Sequence, residues 1–245
     1  MNTALNNNVI HAIRNYFAHH TELTTDELMD NLSQDFPSWK ASTIKTYLTK
    51  LKSEGIIHSA GRGRYVRHAL PEYQPHPNRK LKTISSKIRK AFPLLNYCLW
   101  DTEWFNEFQQ HQLFSTHIVL EVERDGMESV FYLLSETSKD IFLTPDESTY
   151  DRYLSGHAAP VVIEPLISES PLTTAGKVPL PTLEKLLVDA IANPLLFSAQ
   201  QGELSFIFKT AFEKYRIHKA RMNRYATRRN QSENLKPFLA QVNRK

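Results

Sequence analysis

Residues 41–67, ASTIKTYLTKLKSEGIIHSAGRGRYVR, join a helical pattern to a hairpin pattern. Ile44, Leu48 and Leu51 recur at intervals of four and three residues, so they lie on one face of a predicted helix. Two short apolar runs then flank Gly61–Arg64, and glycines at such a point predict a tight turn between two strands. The segment therefore predicts a helix followed by a β-hairpin that carries arginines at its tip.

The other face of this predicted helix combines lysines with small hydroxyl side chains. A helix that enters the major groove of DNA needs small side chains for close approach and polar ones for base edges and phosphates. Residues 40–68 also hold seven Lys/Arg against the single acid Glu54. We expect base or phosphate contacts from Lys40, Ser42, Thr43, Lys45 and Thr46, and phosphate or minor-groove contacts from Lys50, Arg62 and Arg64.

Two further helices are predicted before this one. Apolar residues at helical spacing predict a helix over residues 6–18, and Thr24 with Glu27 forms a capping-box pattern that begins a second. Ser38, which follows a proline, predicts the start of the third helix. Three helices and a basic hairpin follow the order of a winged helix-turn-helix, which we predict for residues 1–68. A winged helix that serves only as a protein-interaction adaptor is the alternative.

The rest of the chain is predicted to form a linker and a second domain. Residues 69–92 contain prolines and then a basic segment, which predicts an extended linker and a short amphipathic helix. Residues 93–245 alternate short apolar runs with amphipathic segments and end in helical patterns, which predicts a mixed α/β domain and an α+β chain. The predicted strands cover residues 97–100, 117–122, 141–143 and 161–163. The predicted helices cover residues 101–108, 128–135, 148–154, 183–191, 204–215, 218–228 and 235–242.

The formal net charge of +4 hides three segments of different sign. Residues 1–92 hold 14 Lys/Arg and 7 Asp/Glu, residues 93–213 hold 6 and 18, and residues 214–245 hold 10 and 1. Basic terminal segments indicate contact with nucleic acid, because Lys and Arg on phosphates release condensed counterions, and a solvated basic surface is the alternative. Secondary phosphate contacts are expected at Lys82, Lys87, Arg221, Arg224 and Arg228. The C-terminal arginines also suit docking on the acidic middle of the chain.

The wing pattern and the segment Val178–Asp189, VPLPTLEKLLVD, resemble AbiEi-type antitoxins. These are the winged-helix transcriptional regulators of bacterial abortive-infection toxin–antitoxin systems, which act in phage defence. The resemblance implies a type IV antitoxin that binds double-stranded DNA at its own promoter, represses its operon and counteracts a nucleotidyltransferase-like toxin. It implies no catalysis. A two-fold symmetric operator would require two winged helices and therefore a homodimer.

Enzyme motifs are missing from the sequence, which contains no GxGxxG, no GxxxxGK[ST] and no HExxH. Glu121 and Glu123 are expected on the same face of a strand, so a metal-dependent nuclease is a further alternative, although the acid-x-lysine element of such enzymes is absent. Cys98 lies in an apolar strand pattern that favours a buried, inert thiol. We therefore predict no catalytic residue, no metal site and no cofactor.

No segment of the sequence has the pattern of a membrane span or a leader. The longest apolar runs are far shorter than the about 20 residues that a bilayer span requires. The first eight residues lack a basic region followed by an apolar one. We therefore expect a cytoplasmic protein that makes no membrane contact.

Overall fold

The chain is divided into two compact units, Met1–Pro71 and Glu72–Arg244. The computed structural model describes residues 3–67, 70–112, 116–150 and 160–242. Helices and several small sheets together make an α+β protein, as predicted. Within the described residues, no helix is both long enough and apolar enough to cross a membrane.

The described residues of the first unit form three helices and a three-stranded antiparallel sheet. Its elements are α1 (Thr3–Tyr16), β1 (Leu23–Thr24), α2 (Thr25–Asp35), α3 (Ala41–Ser53), β2 (His58–Gly61) and β3 (Arg64–Val66). The strands lie in the order β1-β3-β2. The capping box predicted before α2 is present, because the Glu27 backbone N–H donates to Thr24 Oγ1 at 3.2 Å and the Thr24 N–H donates to Glu27 Oε2 at 2.7 Å.

The prediction that Ser38 begins the third helix is wrong. The N-cap is Lys40, which has an extended backbone and makes no side-chain cap hydrogen bond. The rings of Phe36, Trp39 and Tyr47 stack in series, with centroids 4.5 Å and 4.4 Å apart, and the Trp39 N–H donates to the Phe36 carbonyl. This aromatic stack holds the chain in a turn before the helix, so Ser38 lies outside it.

The start of the hairpin also differs from the apolar run that predicted it. Gly55 has a φ of +71°, a left-handed conformation that ends α3. The N–H groups of Ile56 and Ile57 both donate to the Leu51 carbonyl, so these residues still belong to the turn that closes the helix. Ile57 is fully buried in the core of the unit, and β2 begins only at His58.

The second unit is built around a four-stranded sheet in the order β4-β5-β7-β6. Strand β4 runs antiparallel to β5, whereas β5, β7 and β6 are parallel. A separate hairpin is formed by β8 and β9. The strands are β4 (Tyr97–Asp101), β5 (Ile118–Val122), β6 (Ile141–Leu143), β7 (Val161–Pro165), β8 (Leu172–Ala175) and β9 (Val178–Pro181). The helices are α4 (Arg79–Ala91), α5 (Met127–Ser135), α6 (Glu147–Thr149), α7 (Leu183–Ala192), α8 (Leu204–Lys214), α9 (Lys219–Arg228) and α10 (Ser232–Val242).

The two faces of this sheet support separate cores, because side chains alternate along each strand. Trp100, Val119 and Val162 face a core that they share with α7, α8, α9 and α10. Leu120 and Ile163 face the opposite core, which contains the apolar side of α4, α5 and β9. Each core seals one side of the sheet, and polar side chains within them need partners.

Three segments of the second unit differ from their predictions. Residues Thr102–Glu107 form a 3₁₀ helix capped by the Asp101 side chain. A helix was predicted over residues 148–154. Its first residues belong to α6, and residues 151–154 lie outside the described part of the chain. The β8–β9 hairpin was not predicted, because β9 contains prolines. Proline has no backbone N–H to donate to a neighbouring strand, so its presence argues against a strand.

Candidate functional site

The outer face of α3 is exposed along its length. Ile44, Leu48 and Leu51 are at most 3% exposed and face the core, as predicted. The predicted contact residues on the opposite face are exposed at Lys40, Ser42, Lys45 and Thr46 and half-buried at Thr43 and Lys50. No acidic side chain lies between residues 40 and 53, so this face is a continuous cationic and hydroxyl surface.

The tip of the hairpin is tied to the start of α2. Gly63 has a φ of +70°, which favours glycine at this point of the turn. Its carbonyl accepts hydrogen bonds from the Thr25 N–H at 2.8 Å and from Thr25 Oγ1 at 3.2 Å. The turn therefore holds Arg62 and Gly63 in a defined position, with the Arg62 side chain exposed.

Two of the predicted phosphate-contact residues already have carboxylate partners within the first unit. Arg64 Nη1 donates to Glu22 Oε1 at 2.5 Å. Lys50 Nζ lies 3.7 Å from Glu54 Oε1, one helical turn away. Arg62, by contrast, forms no ion pair with any carboxylate among the described residues. Of the two arginines of the hairpin, Arg64 is therefore paired with a carboxylate, and Arg62 has no carboxylate partner among the described residues.

Helix α4 is a basic helix whose apolar side is packed in the second unit. Leu81, Ile84 and Ile88 are buried in the core. Its outer side contains no acid and six cations, Arg79, Lys80, Lys82, Lys87, Arg89 and Lys90. Lys87 Nζ donates to Thr137 Oγ1 at 2.7 Å and Arg89 Nη1 to the Lys177 carbonyl at 3.0 Å. These are neutral acceptors, so the bonds orient the two cations without cancelling their charge.

The C-terminal arginines face carboxylates of their own unit. Arg216 pairs with Glu72 and Arg228 with Glu169, and Arg221 Nη1 lies 3.6 Å from Glu184 Oε2. The hydrogen bond to Glu169 raises the pKa of Arg228, and Arg228 lowers the pKa of Glu169. Arg224 is exposed on α9. These pairs favour docking on acidic residues of the chain over phosphate contact for Arg221 and Arg228.

A buried charged network lies between β5 and α7. Lys185 is 0% exposed, and its Nζ lies 2.6 Å from both oxygens of Glu121 and 2.5 Å from Asp189 Oδ2. Trp100 Nε1 donates to Glu121 at 3.1 Å, and the Tyr225 hydroxyl donates to Asp189 at 2.8 Å. Burial lowers the pKa of Lys185, but the carboxylates of Asp189 and Glu121 raise it above its ordinary value. The lysine is therefore charged at neutral pH.

A small cleft adjoins this network. It has a volume of about 40 Å³, and the residues that line it include Trp100, Leu196, Phe197 and Glu164. Glu164 on β7 is the direct neighbour of Glu121 on the parallel strand β5. Burial and the charge of Glu121 raise the pKa of Glu164 to about 7, although Arg229 opposes the shift. The cleft thus contains a carboxyl group that ionises near neutrality.

The acidic pair expected for a nuclease is not formed. Strand β5 ends at Val122, and the Glu123 carboxylate beyond it accepts a hydrogen bond from Asn96 Nδ2 at 2.9 Å. Glu121 instead meets Lys185 in the core. No group of three His, Cys, Asp or Glu side chains within the described ranges is placed to hold a metal ion. Cys98 is fully buried, and burial raises the pKa of its thiol, in agreement with an inert cysteine.

Sequence reasoning missed Lys185, Glu164 and Arg229 as members of a polar site. Lys185 and Asp189 are four residues apart on one helix, a spacing that brings side chains together. That spacing was the one available signal, but the stripe of apolar residues along α7 is equally typical of an ordinary core helix. Glu164 and Arg229 reach the cleft from distant parts of the chain, so no local pattern connects them.

Comparison with known proteins identifies a family. The model of DUF6577, a family of unknown function, matches residues 43–245. The matched region begins within α3 and takes in the hairpin and the whole of the second unit. A search of the curated proteins finds no match.

Proposed function

The chain belongs to the DUF6577 family, and we propose that it is a sequence-specific DNA-binding transcriptional regulator with an N-terminal winged helix-turn-helix. The order α1, β1, α2, α3, β2, β3 and the small antiparallel sheet support this interpretation of the first unit. The observation that carries the proposal is the outer face of α3. It exposes lysines and small hydroxyl side chains over three turns and contains no acid.

In this proposal α3 lies in the major groove of the operator. Ser42, Thr43 and Thr46 are short enough to let the helix approach base edges, and Lys45 reaches a base or a neighbouring phosphate. Thr46 Oγ1 donates to the Ser42 carbonyl at 3.0 Å, which leaves its oxygen free to accept from a base amino group. Lys40, at the N-cap, adds positive charge where the helix dipole already favours phosphate.

The hairpin supplies backbone contacts in the same proposal. Arg62 is exposed at a turn that Thr25 holds in place, so it enters the minor groove or binds a phosphate. Arg64 and Lys50 contribute only if a phosphate displaces Glu22 or Glu54. We therefore assign Arg62 the larger share of the hairpin's binding energy.

Helix α4 adds a second phosphate-binding surface in the second unit. The cations Lys82 and Lys87 lie on a helix without acids, and neither forms an ion pair with a described carboxylate. The arginines of α9 are the contrasting case, because Arg221 and Arg228 face carboxylates. We therefore place secondary phosphate contacts on α4 rather than on α9.

The antitoxin role is the second part of the proposal and rests on the resemblance to AbiEi-type antitoxins. In that role the protein represses its own operon, as a homodimer on a two-fold operator, and the second unit neutralises a nucleotidyltransferase-like toxin. The segment Val178–Asp189 forms β9 and the start of α7, and its residues from Leu183 onward are buried. Its contribution is to the core of the unit, so the toxin would contact other residues.

A mobility-shift titration tests the DNA-binding proposal. The full chain is titrated against the duplex upstream of its own gene, with a random duplex of equal length as competitor. We expect a shift that survives about 100-fold competitor and weakens steeply with salt. Equal affinity for both duplexes would refute sequence-specific binding, and no affinity for either at low salt would favour the protein-interaction adaptor.

A further inference from the structure

The charges at the cleft of the second unit do not balance. Among the described residues, three carboxylates meet there, from Glu121, Glu164 and Asp189, but only two cations, Lys185 and Arg229. With every group ionised, the site has one negative charge in excess. A ligand that completes it would bring one positive charge, since charges in a partly buried site are poorly screened.

Two of the three carboxylates are already satisfied. Glu121 accepts from Lys185 and Trp100. Asp189 accepts from Lys185 and Tyr225 and lies 3.1 Å from Arg229 Nε. The third, Glu164, makes no hydrogen bond or ion pair with any described residue, although it is half-buried. It is the group in this cleft that has acceptor capacity to spare.

The size and walls of the cleft limit what can enter it. A volume of about 40 Å³ corresponds to roughly three water-sized groups, because one water needs about 10–15 Å³ on this measure. Trp100 and Phe197 stack with their centroids 5.5 Å apart, and Leu196 adjoins them. The cleft therefore holds a small polar head group and offers apolar surface to a short aliphatic stem.

We propose that this cleft binds the alkylammonium group of a small amine or of a lysine side chain, with Glu164 as its carboxylate partner. The ammonium group replaces the missing positive charge and donates hydrogen bonds to Glu164. The methylenes next to it lie against Trp100 and Leu196, as the stems of lysines do on apolar surfaces.

Binding at this site depends on pH, because the ammonium group pairs with the ionised form of Glu164. Glu121 from β5 raises the pKa of Glu164, and Arg229 beyond α9 lowers it. Burial, and to a smaller extent the charge of Glu164, raises the pKa of the nearby Tyr150 hydroxyl. In the described part of the chain, Lys185 and Asp189 on α7 are the other charged groups near Glu164, and they form an ion pair with no net charge. With a pKa of about 7, Glu164 is mostly ionised at pH 8 and mostly protonated at pH 6.

Isothermal titration calorimetry of the full chain with n-butylammonium chloride tests the proposal. We expect saturable binding that is about tenfold tighter at pH 8 than at pH 6. The variant Glu164→Gln, which keeps the size of the side chain, should lose the binding at both pH values. The matched control Glu169→Gln removes an exposed carboxylate elsewhere in the unit and should bind as the unaltered chain does.

Two further ligands make the result decisive. 1-Butanol has the same stem without the charge and should not bind. Nα-acetyl-lysine methylamide places the same ammonium group on a peptide, and tighter binding of this probe would identify a protein side chain as the source. Absence of binding by both amines, equal binding of butanol, or unchanged binding by a folded Glu164→Gln variant would each overturn the proposal.

Discussion

The ammonium nitrogen of Lys185 lies 2.6 Å from both carboxylate oxygens of Glu121, and the lysine is fully buried. This pair ties α7 to the central strand β5 of the second unit. Asp189, one turn further along α7, accepts another hydrogen bond from the same ammonium group. A buried charge is tolerated only when paired and hydrogen-bonded, and every member of this network has such partners.

Removal of the lysine should strongly destabilise the second unit. Lys185→Met removes the cation that pairs with Glu121 and leaves Asp189 with Arg229 alone, which we expect to cost about 3–5 kcal/mol of unfolding free energy in urea titrations. Adding Glu121→Gln and Asp189→Asn should recover part of the loss. Lys209→Met, on the exposed side of α8, is the control and should change stability by less than about 0.5 kcal/mol. A loss below about 1 kcal/mol for Lys185→Met would contradict the network as described.

The stability of the second unit should fall as the pH rises through neutrality. Glu164 has a pKa of about 7 in the folded protein, above its ordinary value of 4.5. The folded state therefore binds the proton more tightly than the unfolded state, and this stabilisation is complete below pH 4.5 and lost as the pH rises through about 7. Urea unfolding at pH 5 and pH 8 should show the unaltered chain losing stability relative to Glu164→Gln. Parallel pH profiles would show that Glu164 does not titrate in this range.

Removal of two proposed base-contacting side chains from α3 should measurably weaken binding to the operator. The double substitution Thr43→Ala/Lys45→Ala should weaken operator binding by about 1–3 kcal/mol for each good base contact that is lost. Competition mobility shifts provide the measurement. Arg14→Ala removes an exposed cation from α1 and should leave the preference for the operator unchanged. If the double substitution also has no effect, α3 does not recognise the operator.

The salt dependence should report how many cations touch phosphates. Five to eight contacts, a rough count, predict a log–log slope of about −4.5 to −7. Lys82→Ala/Lys87→Ala should make that slope shallower by about 1.8, since each lost contact accounts for about 0.9. Arg228→Ala is the internal control, because this arginine is paired with Glu169. If Arg228→Ala changes the slope and Lys82→Ala/Lys87→Ala does not, the second phosphate-binding surface lies on α9 and not on α4.

Local patterns were sufficient for most of the first unit. The capping box before α2 and the four-and-three spacing of Ile44, Leu48 and Leu51 depend on residues within one or two turns, and both predictions are confirmed. The prediction of where α3 starts was wrong because Phe36 stacks on Trp39 and Trp39 on Tyr47. Helix-cap rules do not take such a contact into account. The DNA contacts proposed for this unit stay predictions.

The composition and the periodicity of the sequence indicated most of the helices, the four strands of the central sheet, the segregation of charge and a basic face on α3, but not the direction in which the strands pair. The tertiary structure decided which charges remain available. It paired Arg64, Arg221 and Arg228 with carboxylates, whereas Lys82 and Lys87 on α4 have no carboxylate partner among the described residues. It also brought Glu121, Glu164, Lys185 and Asp189 together from two strands and a helix. Such pairing depends on distances between residues far apart in the chain, whereas sequence patterns report only neighbours within a few residues.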